Sequence, residues 1–331
     1  MTRIPLVLLV PLFILACERP PEPLGSNDAG SGDGGTSDAG SGDGGTSGAN
    51  ARKPNVMLVV DKSGSMHFPI DPSNPSCPLG CGPSPATACP SSCPTRLQEM
   101  KVAMGQFLIE KGEIARFGLN VFPDSSQNVC AQGRVVHEIR TNTDDPIALL
   151  GAAVTINDTL QQIGQPGGLP ASGGTPTATT LRALETNAGL LATDRANLVL
   201  LLTDGLPNCN SSLSPTACTC VPGASCMASN LNCLDAVASI DAIASLAGKD
   251  IQTIVIGFGA DIASSSAGVD TLNAMAVAGG LPRTCALSID CGASDTCTGG
   301  YCGRRFYQAA NAAELAAVLE RIATIVSAAS P

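Results

Sequence analysis

Asp61, Ser63 and Ser65 stand at alternating positions in the stretch VMLVVDKSGSM, residues 56–66. In an extended loop this spacing turns three oxygen-bearing side chains to one side of the backbone. Carboxylate, hydroxyl and water oxygens are hard ligands, and all-oxygen sites select Mg2+, Mn2+ or Ca2+ over zinc. Mg2+ demands near-octahedral geometry and keeps several waters, which suits weakly donating serines. The apolar run before Asp61 reads as a buried parallel strand, so the three oxygens would sit where that strand ends.

What must position them is a sheet. From Asn55 onward, strand and helix patterns alternate. Strands are predicted at NVMLVV (55–60), FGLNVF (117–122), RVVHEI (134–139), NLVLLLTDG (197–205), IQTIVIGFG (251–259) and RFYQA (305–309). Thr95 with Gln98 forms a capping box before a helix that turns Leu97, Met100, Met104 and Phe107 to one face. Further helices are predicted around 146–163, 175–191, 234–248 and 268–278. The last begins at Asn311, with Glu314 as box partner and Leu315, Leu319, Ile322 and Val326 inward. The implied class is α/β: a doubly wound, mostly parallel sheet with helices on both faces. Ligands in such sheets bind beyond the carboxyl ends of the strands, and Asp61 and Asp204 both fall on that rim.

Two more stretches complete a pattern: GGTPT (173–177) and LLTDG (201–205). With DKSGS they resemble the metal-ion-dependent adhesion site (MIDAS) of the von Willebrand factor A (VWA) family, over residues 55–328. The resemblance implies a metal site of Asp61, Ser63, Ser65, Thr175 and Asp204. It also implies hydroxyls that bind the ion directly, carboxylates that often act through water, and one position open to a partner's Asp or Glu. It further implies that the first and fourth strands lie side by side. Mg2+ is the expected ion, with Mn2+ or Ca2+ possible in its place. With only two carboxylates nearby, the dication would keep enough positive character to attract a third. Singly, each loop has a plainer reading. Thr175 before Pro176 suits a helix N-cap, Asp204-Gly205 a turn, and Ser63-Gly64-Ser65 a polar loop. The rim is expected to be solvated, so replacing Asp204 or both serines should spare the fold.

Composition narrows the function classes. The chain of 331 residues is 44% hydrophobic with a net charge of −10, and it lacks the Lys and Arg surplus of a nucleic-acid binder. Residues 1–16 carry one basic residue and then a 13-residue apolar run, too short for a bilayer and shaped as a secretory signal. That run ends at Ile-Leu-Ala-Cys17, which resembles the lipobox of bacterial lipoproteins and implies a lipidated Cys17. Residues 17–53 hold the exact repeat DAGSGDGGTS and read as a flexible tether reaching roughly 30–36 Å. The domain proper would then run from 54 to 331.

Fifteen cysteines in an exported chain imply disulfides rather than zinc, and setting Cys17 aside leaves an even 14, enough for seven bridges. They fall in insertions at 67–94, 206–233 and 281–303. Ten belong to the metal rim: Cys77, Cys81, Cys89, Cys93, Cys130, Cys209, Cys218, Cys220, Cys226 and Cys233. Four belong to the opposite rim: Cys285, Cys291, Cys297 and Cys302. No bridge is expected between the two groups.

Catalytic signals are thin. There is no Walker sequence and no GxSxG, and GFGAD (257–261) lacks the third glycine of a dinucleotide loop. Of the two histidines, His67 lies beside the metal loop and reads as solvated, which leaves no evident general base. The expectation is not an enzyme but a membrane-anchored, divalent-metal-dependent adhesion-type module that captures a carboxylate on a protein partner. The alternative is a structural or assembly component of the cell envelope that uses the metal for a subunit contact. Either would be lipid-anchored in a bacterial envelope, at the outer membrane, facing the periplasm or the surface.

Overall fold

The computed structural model describes residues 52–329 apart from 79, 83–86, 211, 215, 219–229, 260–265 and 293–294. The signal segment, Cys17, the repeat, Cys220 and Cys226 therefore lie outside the described residues. Among those residues, no helix is long and apolar enough to cross a membrane.

The strands are β1 (Asn55–Asp61), β2 (Arg116–Phe122), β3 (Arg134–His137), β4 (Asn197–Thr203), β5 (Ile251–Phe258), β6 (Cys297–Thr298), β7 (Tyr301–Cys302) and β8 (Tyr307–Ala309). The helices are α1 (Arg96–Lys111), α2 (Pro146–Gln162), α3 (Thr177–Leu184), α4 (Ala236–Ala247), α5 (Ser266–Ala278) and α6 (Ala312–Ala328). Six strands form one sheet in the order β3-β2-β1-β4-β5-β8, and β6 and β7 form a separate two-stranded piece. All pairings in the large sheet are parallel except β2 with β3.

β1 and β4 are buried at every position, which is why they read as unbroken apolar runs rather than alternating ones. Successive side chains of β1 serve different cores. Val56, Leu58 and Val60 pack with Leu97 and Met104 of α1, Leu160 of α2 and Leu319 of α6. Met57 and Val59 pack with Leu181 of α3, Ile243 of α4 and Leu272 of α5. The sheet is thus covered on both faces, as a doubly wound fold requires.

Helix starts follow local chemistry. The capping box of α1 is complete, with Gln98 N–H bonded to Thr95 Oγ1 and Thr95 N–H bonded to Gln98 Oε1. At α6 the Asn311 side chain accepts from Glu314 N–H, but Glu314 returns its bond to Ala310 N–H, one residue earlier than a strict box.

Several expected elements are shorter in the structure. The helix expected over 175–191 stops at Leu184, because the Asn187 side chain accepts the Gly189 N–H and opens a separate 3-10 turn. The last strand begins at Tyr307, not Arg305. The Arg305 N–H is taken by Asn273 Oδ1 and its carbonyl by Arg283 N–H, so neither can join the ladder. β3 ends at His137, short of Ile139.

Five disulfides are described: Cys77–Cys93, Cys81–Cys89, Cys130–Cys209, Cys285–Cys297 and Cys291–Cys302. None joins the 285–302 group to the other cysteines. Where a further bridge was expected, Cys233 is a buried thiol that shares a hydrogen bond with Cys218, and burial and Cys218 together push it up to about 11.

Candidate metal centre

Asp61 ends β1 and Asp204 directly follows β4, and the parallel pairing of Val60 with Leu202 sets these two strand ends side by side. Strand order departs in opposite directions from this pair, which makes it the switch point where doubly wound sheets open a crevice.

The chain beyond Asp61 does not stay extended. Ser63 is extended, but Gly64–His67 coil into a 3-10 turn. That turn brings the Ser63 and Ser65 hydroxyls within 3.0 Å of each other, and Ser65 donates to Asp204 Oδ1 at 2.8 Å. Both Asp61 oxygens accept from the chain: Oδ1 from Ser63 N–H at 2.8 Å and Oδ2 from the Thr203 hydroxyl at 2.7 Å.

Thr175 arrives on a loop docked against the first, with Gly64 N–H donating to Gly173 O at 2.9 Å. A Cβ on Gly205 would lie 3.9 Å from Ser65 Oγ and 4.0 Å from Thr175 Oγ1, so the two hydroxyls border one space. Thr175 is not a helix cap. The cap position of α3 is Pro176, which makes no side-chain cap bond, and Ser63 likewise makes none at the head of its 3-10 turn. All five residues named from the sequence therefore converge on one place.

The rim is not solvated as expected. Asp61, Ser63, Thr175 and Asp204 are at most 3% exposed and Ser65 is half-buried, with Arg96 of α1 packed on Asp204 and Asn208 on the Thr175 loop. Burial first, then the charge of Asp204, pushes the Asp61 carboxyl up to about 7, against hydrogen bonds from Ser63 and Thr203 that pull it down. The counter-charge is Arg96, whose Nη1 meets Asp204 Oδ2 at 2.8 Å with both side chains buried. Arg96 opens α1, where the helix dipole disfavours a cation, so its ion pair with Asp204 must outweigh that repulsion. Phe68 lies 5.8 Å beneath the guanidinium.

Does this donor set suit a hard dication? Metal–oxygen bonds of about 2.0–2.1 Å give an octahedron whose edges are about 2.9 Å. The Ser63–Ser65 and Ser65–Asp204 oxygen spacings of 3.0 and 2.8 Å match such edges. A cation would also relieve the repulsion between the two carboxylates. The residues present fit the ion. The cysteine groups Cys81/Cys89/Cys93 and Cys285/Cys291/Cys302 gather their sulfurs within 4.8 Å, but all six sulfurs are used in disulfides.

Sequence reasoning missed four residues. Thr203 orients Asp61, Arg96 balances Asp204, and Asn208 bonds Thr175 through its backbone, accepting from Thr175 N–H at 2.6 Å. Lys62 is buried, donates to Pro170 O at 2.7 Å and to Ser125 Oγ at 3.4 Å, and burial draws it down to about 8. Only Arg96 left a visible signal, a basic residue in the first turn of a helix. His67 was read as solvated; instead its Nε2 is hydrogen-bonded to Ala171 O at 2.8 Å. Beside Arg96 a cleft of about 310 Å³ opens, lined by Phe68, Pro69, Pro72, Cys77, Pro78, Gly80 and Cys81.

No family model matches the chain, and no curated protein does either. Similar solved structures include the pilus adhesin SpaC of Lactobacillus rhamnosus GG, 14% identical over 84% of this chain and 31% of the adhesin, with a TM-score of 0.44. The PilB minor pilin of Streptococcus sanguinis is 15% identical over 84% of this chain and 62% of the pilin, with a TM-score of 0.45. A manganese-loaded TRAP protein of Plasmodium vivax is 15% identical over 63% of this chain and 58% of that protein, with a TM-score of 0.34. This chain thus spans less than two thirds of each, and likeness at this level carries no argument about activity.

Proposed function

We propose that this chain is a divalent-metal-dependent protein-binding module of the VWA type, tethered to a bacterial envelope membrane through a lipidated Cys17. The observation that carries the reading is the run of oxygens Ser63 Oγ, Ser65 Oγ and Asp204 Oδ1, spaced 3.0 and 2.8 Å apart beside a second buried carboxylate. Ser63, Ser65 and Thr175 would hold the ion, with Asp61 and Asp204 balancing its charge. A bound Mg2+ or Mn2+ would supply an electrophilic position open to a carboxylate oxygen from outside. Arg96 already answers Asp204, so two carboxylates against a guanidinium and a dication leave a positive remainder. That remainder favours an Asp or Glu of a partner. The stapled insertion with its cleft beside Arg96 would choose among such partners by shape. No acid, base or nucleophile is required of the chain for this task, and we assign it no enzymatic reaction.

Calorimetric titration of the full chain with Mg2+ and Mn2+, wild type against Ser63→Ala/Ser65→Ala, tests the ion. Loss of binding in the variant supports the reading, and equal binding sinks it. Capture of envelope proteins with Mg2+ against chelator tests the partner. An oligomer that falls apart in chelator, with no partner lost, would turn the reading toward assembly. For the anchor, Cys17→Ser is expected to release the protein from membranes, and a mature chain starting elsewhere than an acylated Cys17 would remove the tether.

A further inference from the structure

Thr175 follows two glycines, so the backbone leading to it is not fixed by local preference, and only Pro176 behind it narrows the Thr175 backbone itself. Two other segments hold it. Asn208, beyond β4, grips both backbone groups of Thr175: its Oδ1 accepts Thr175 N–H at 2.6 Å and its N–H donates to Thr175 O at 3.1 Å. Val129, in the β2–β3 turn, accepts the Gly174 N–H at 2.8 Å. The residues that follow these two, Cys209 and Cys130, are joined by a disulfide.

The two holders therefore close on the loop from separate parts of the chain, and a covalent bond fastens them to each other. The fit is tight. A Cβ on Gly174 would come within 2.5 Å of Cys209 Sγ and 2.8 Å of Asn208 Oδ1, and one on Gly173 within 2.7 Å of Val129 O. Cys209 itself sits at φ 66°, a left-handed conformation that a residue with a side chain keeps only where its surroundings over-determine it.

We propose that Asn208 and the Cys130–Cys209 bridge form a positioning unit for Thr175, so that ion affinity depends on a disulfide whose sulfurs bind no ion. The inference rests on the metal reading above. Outer partners that orient metal ligands typically govern affinity by 10–100-fold.

The test uses the full chain as wild type, as Asn208→Ala, and as Cys130→Ser/Cys209→Ser. Amide exchange is measured by NMR without metal, and Mn2+ affinity by calorimetry. Each variant is read at an amide whose direct partner it keeps: Gly174 in Asn208→Ala and Thr175 in the bridge variant. Exchange at those amides that speeds up by more than exchange in β1 and β4, which follows the overall stability, together with Mn2+ binding weakened about 10–100-fold, supports the unit. Exchange and affinity equal to wild type overturn it. Should the bridge variant fail to fold, Asn208→Ala decides alone, because its bridge is intact. A wild type that ignores Mn2+ overturns the metal reading instead, and the exchange data still decide whether the loop is held as described.

Discussion

The two rims of the sheet are both stapled by cysteine, but differently. On the strand-end rim that carries Asp61 and Asp204, the Cys130–Cys209 bridge joins residues 79 apart and ties the β2–β3 turn to the segment after β4. On the opposite rim, where the chain enters β8, the two bridges span 12 and 11 residues and stay within one insertion. That insertion is supported mainly by itself: its β6–β7 pair is only two residues long, and its bridges stand in for a core. The long bridge instead fixes one loop relative to another. A local staple stabilises a loop, whereas a staple between loops can also shape a site.

Breaking the long bridge should have the largest effect. In the entropy model a loop of this length constrains the unfolded chain by about 4–5 kcal/mol. Cys130→Ala/Cys209→Ala is therefore expected to lose stability of that order in urea unfolding and to lose ion affinity with it. A small loss with affinity intact would put this bridge in the same class as those of the other rim.

Asp204→Ala comes next. Because Asp204 and Arg96 are buried together, removing the carboxylate leaves a guanidinium charge uncompensated, at a cost of roughly 3–5 kcal/mol. Ser63→Ala/Ser65→Ala should cost somewhat less, about 2–4 kcal/mol, the scale of one neutral hydrogen bond and one to a carboxylate. Thermal unfolding of both variants would separate them. Equal melting temperatures would show that the uncompensated guanidinium costs no more than the lost hydroxyl bonds.

On the opposite rim, Cys285→Ala/Cys297→Ala opens a short loop and should cost about 3 kcal/mol. Here the second expectation differs: ion affinity by calorimetry should match wild type. A weakened ion would mean that the two rims communicate through the sheet, and the contrast between local and long-range staples would fail.

Much of this arrangement was legible in the sequence because it rests on local or periodic signals. The apolar runs of β1 and β4, the Thr95–Gln98 box and the order of the three polar loops all translate directly into structure. What could not be read depended on contacts between distant segments. Arg96 meets Asp204 across 108 residues, and Thr203 meets Asp61 across 142. Burial of the site was missed for the same reason, since a strand end looks solvated until distant segments pack on it. The helix expected to run to Leu191 failed on a local conflict, in which one asparagine side chain outcompeted the helical pattern.

The smallest effect, and the finest comparison of the rims, is in pH. On the site side, Asp235 at the start of α4 makes no side-chain cap bond, and burial raises it to about 6 against the pull of Arg182. On the far side, Asp290 accepts the N–H groups of Ala286 and Leu287 at 2.7 and 2.9 Å, which holds it below the usual carboxylate range. The signs are opposite. A raised carboxyl binds more protons folded than unfolded, so the stability Asp235 lends is full below about pH 4 and is lost as pH rises through about 6. A lowered one binds fewer, so the contribution of Asp290 is present above about pH 4 and is lost as pH falls through its folded value. Relative to wild type between about pH 2 and pH 7, Asp235→Asn should therefore gain stability as pH rises past about 4, and Asp290→Asn should lose it as pH rises towards about 4 and stay level above that. Urea midpoints across that range, in chelator, are the measurement. Two variants shifting in the same direction would show that burial does not govern Asp235, and that the site side is open to water there after all.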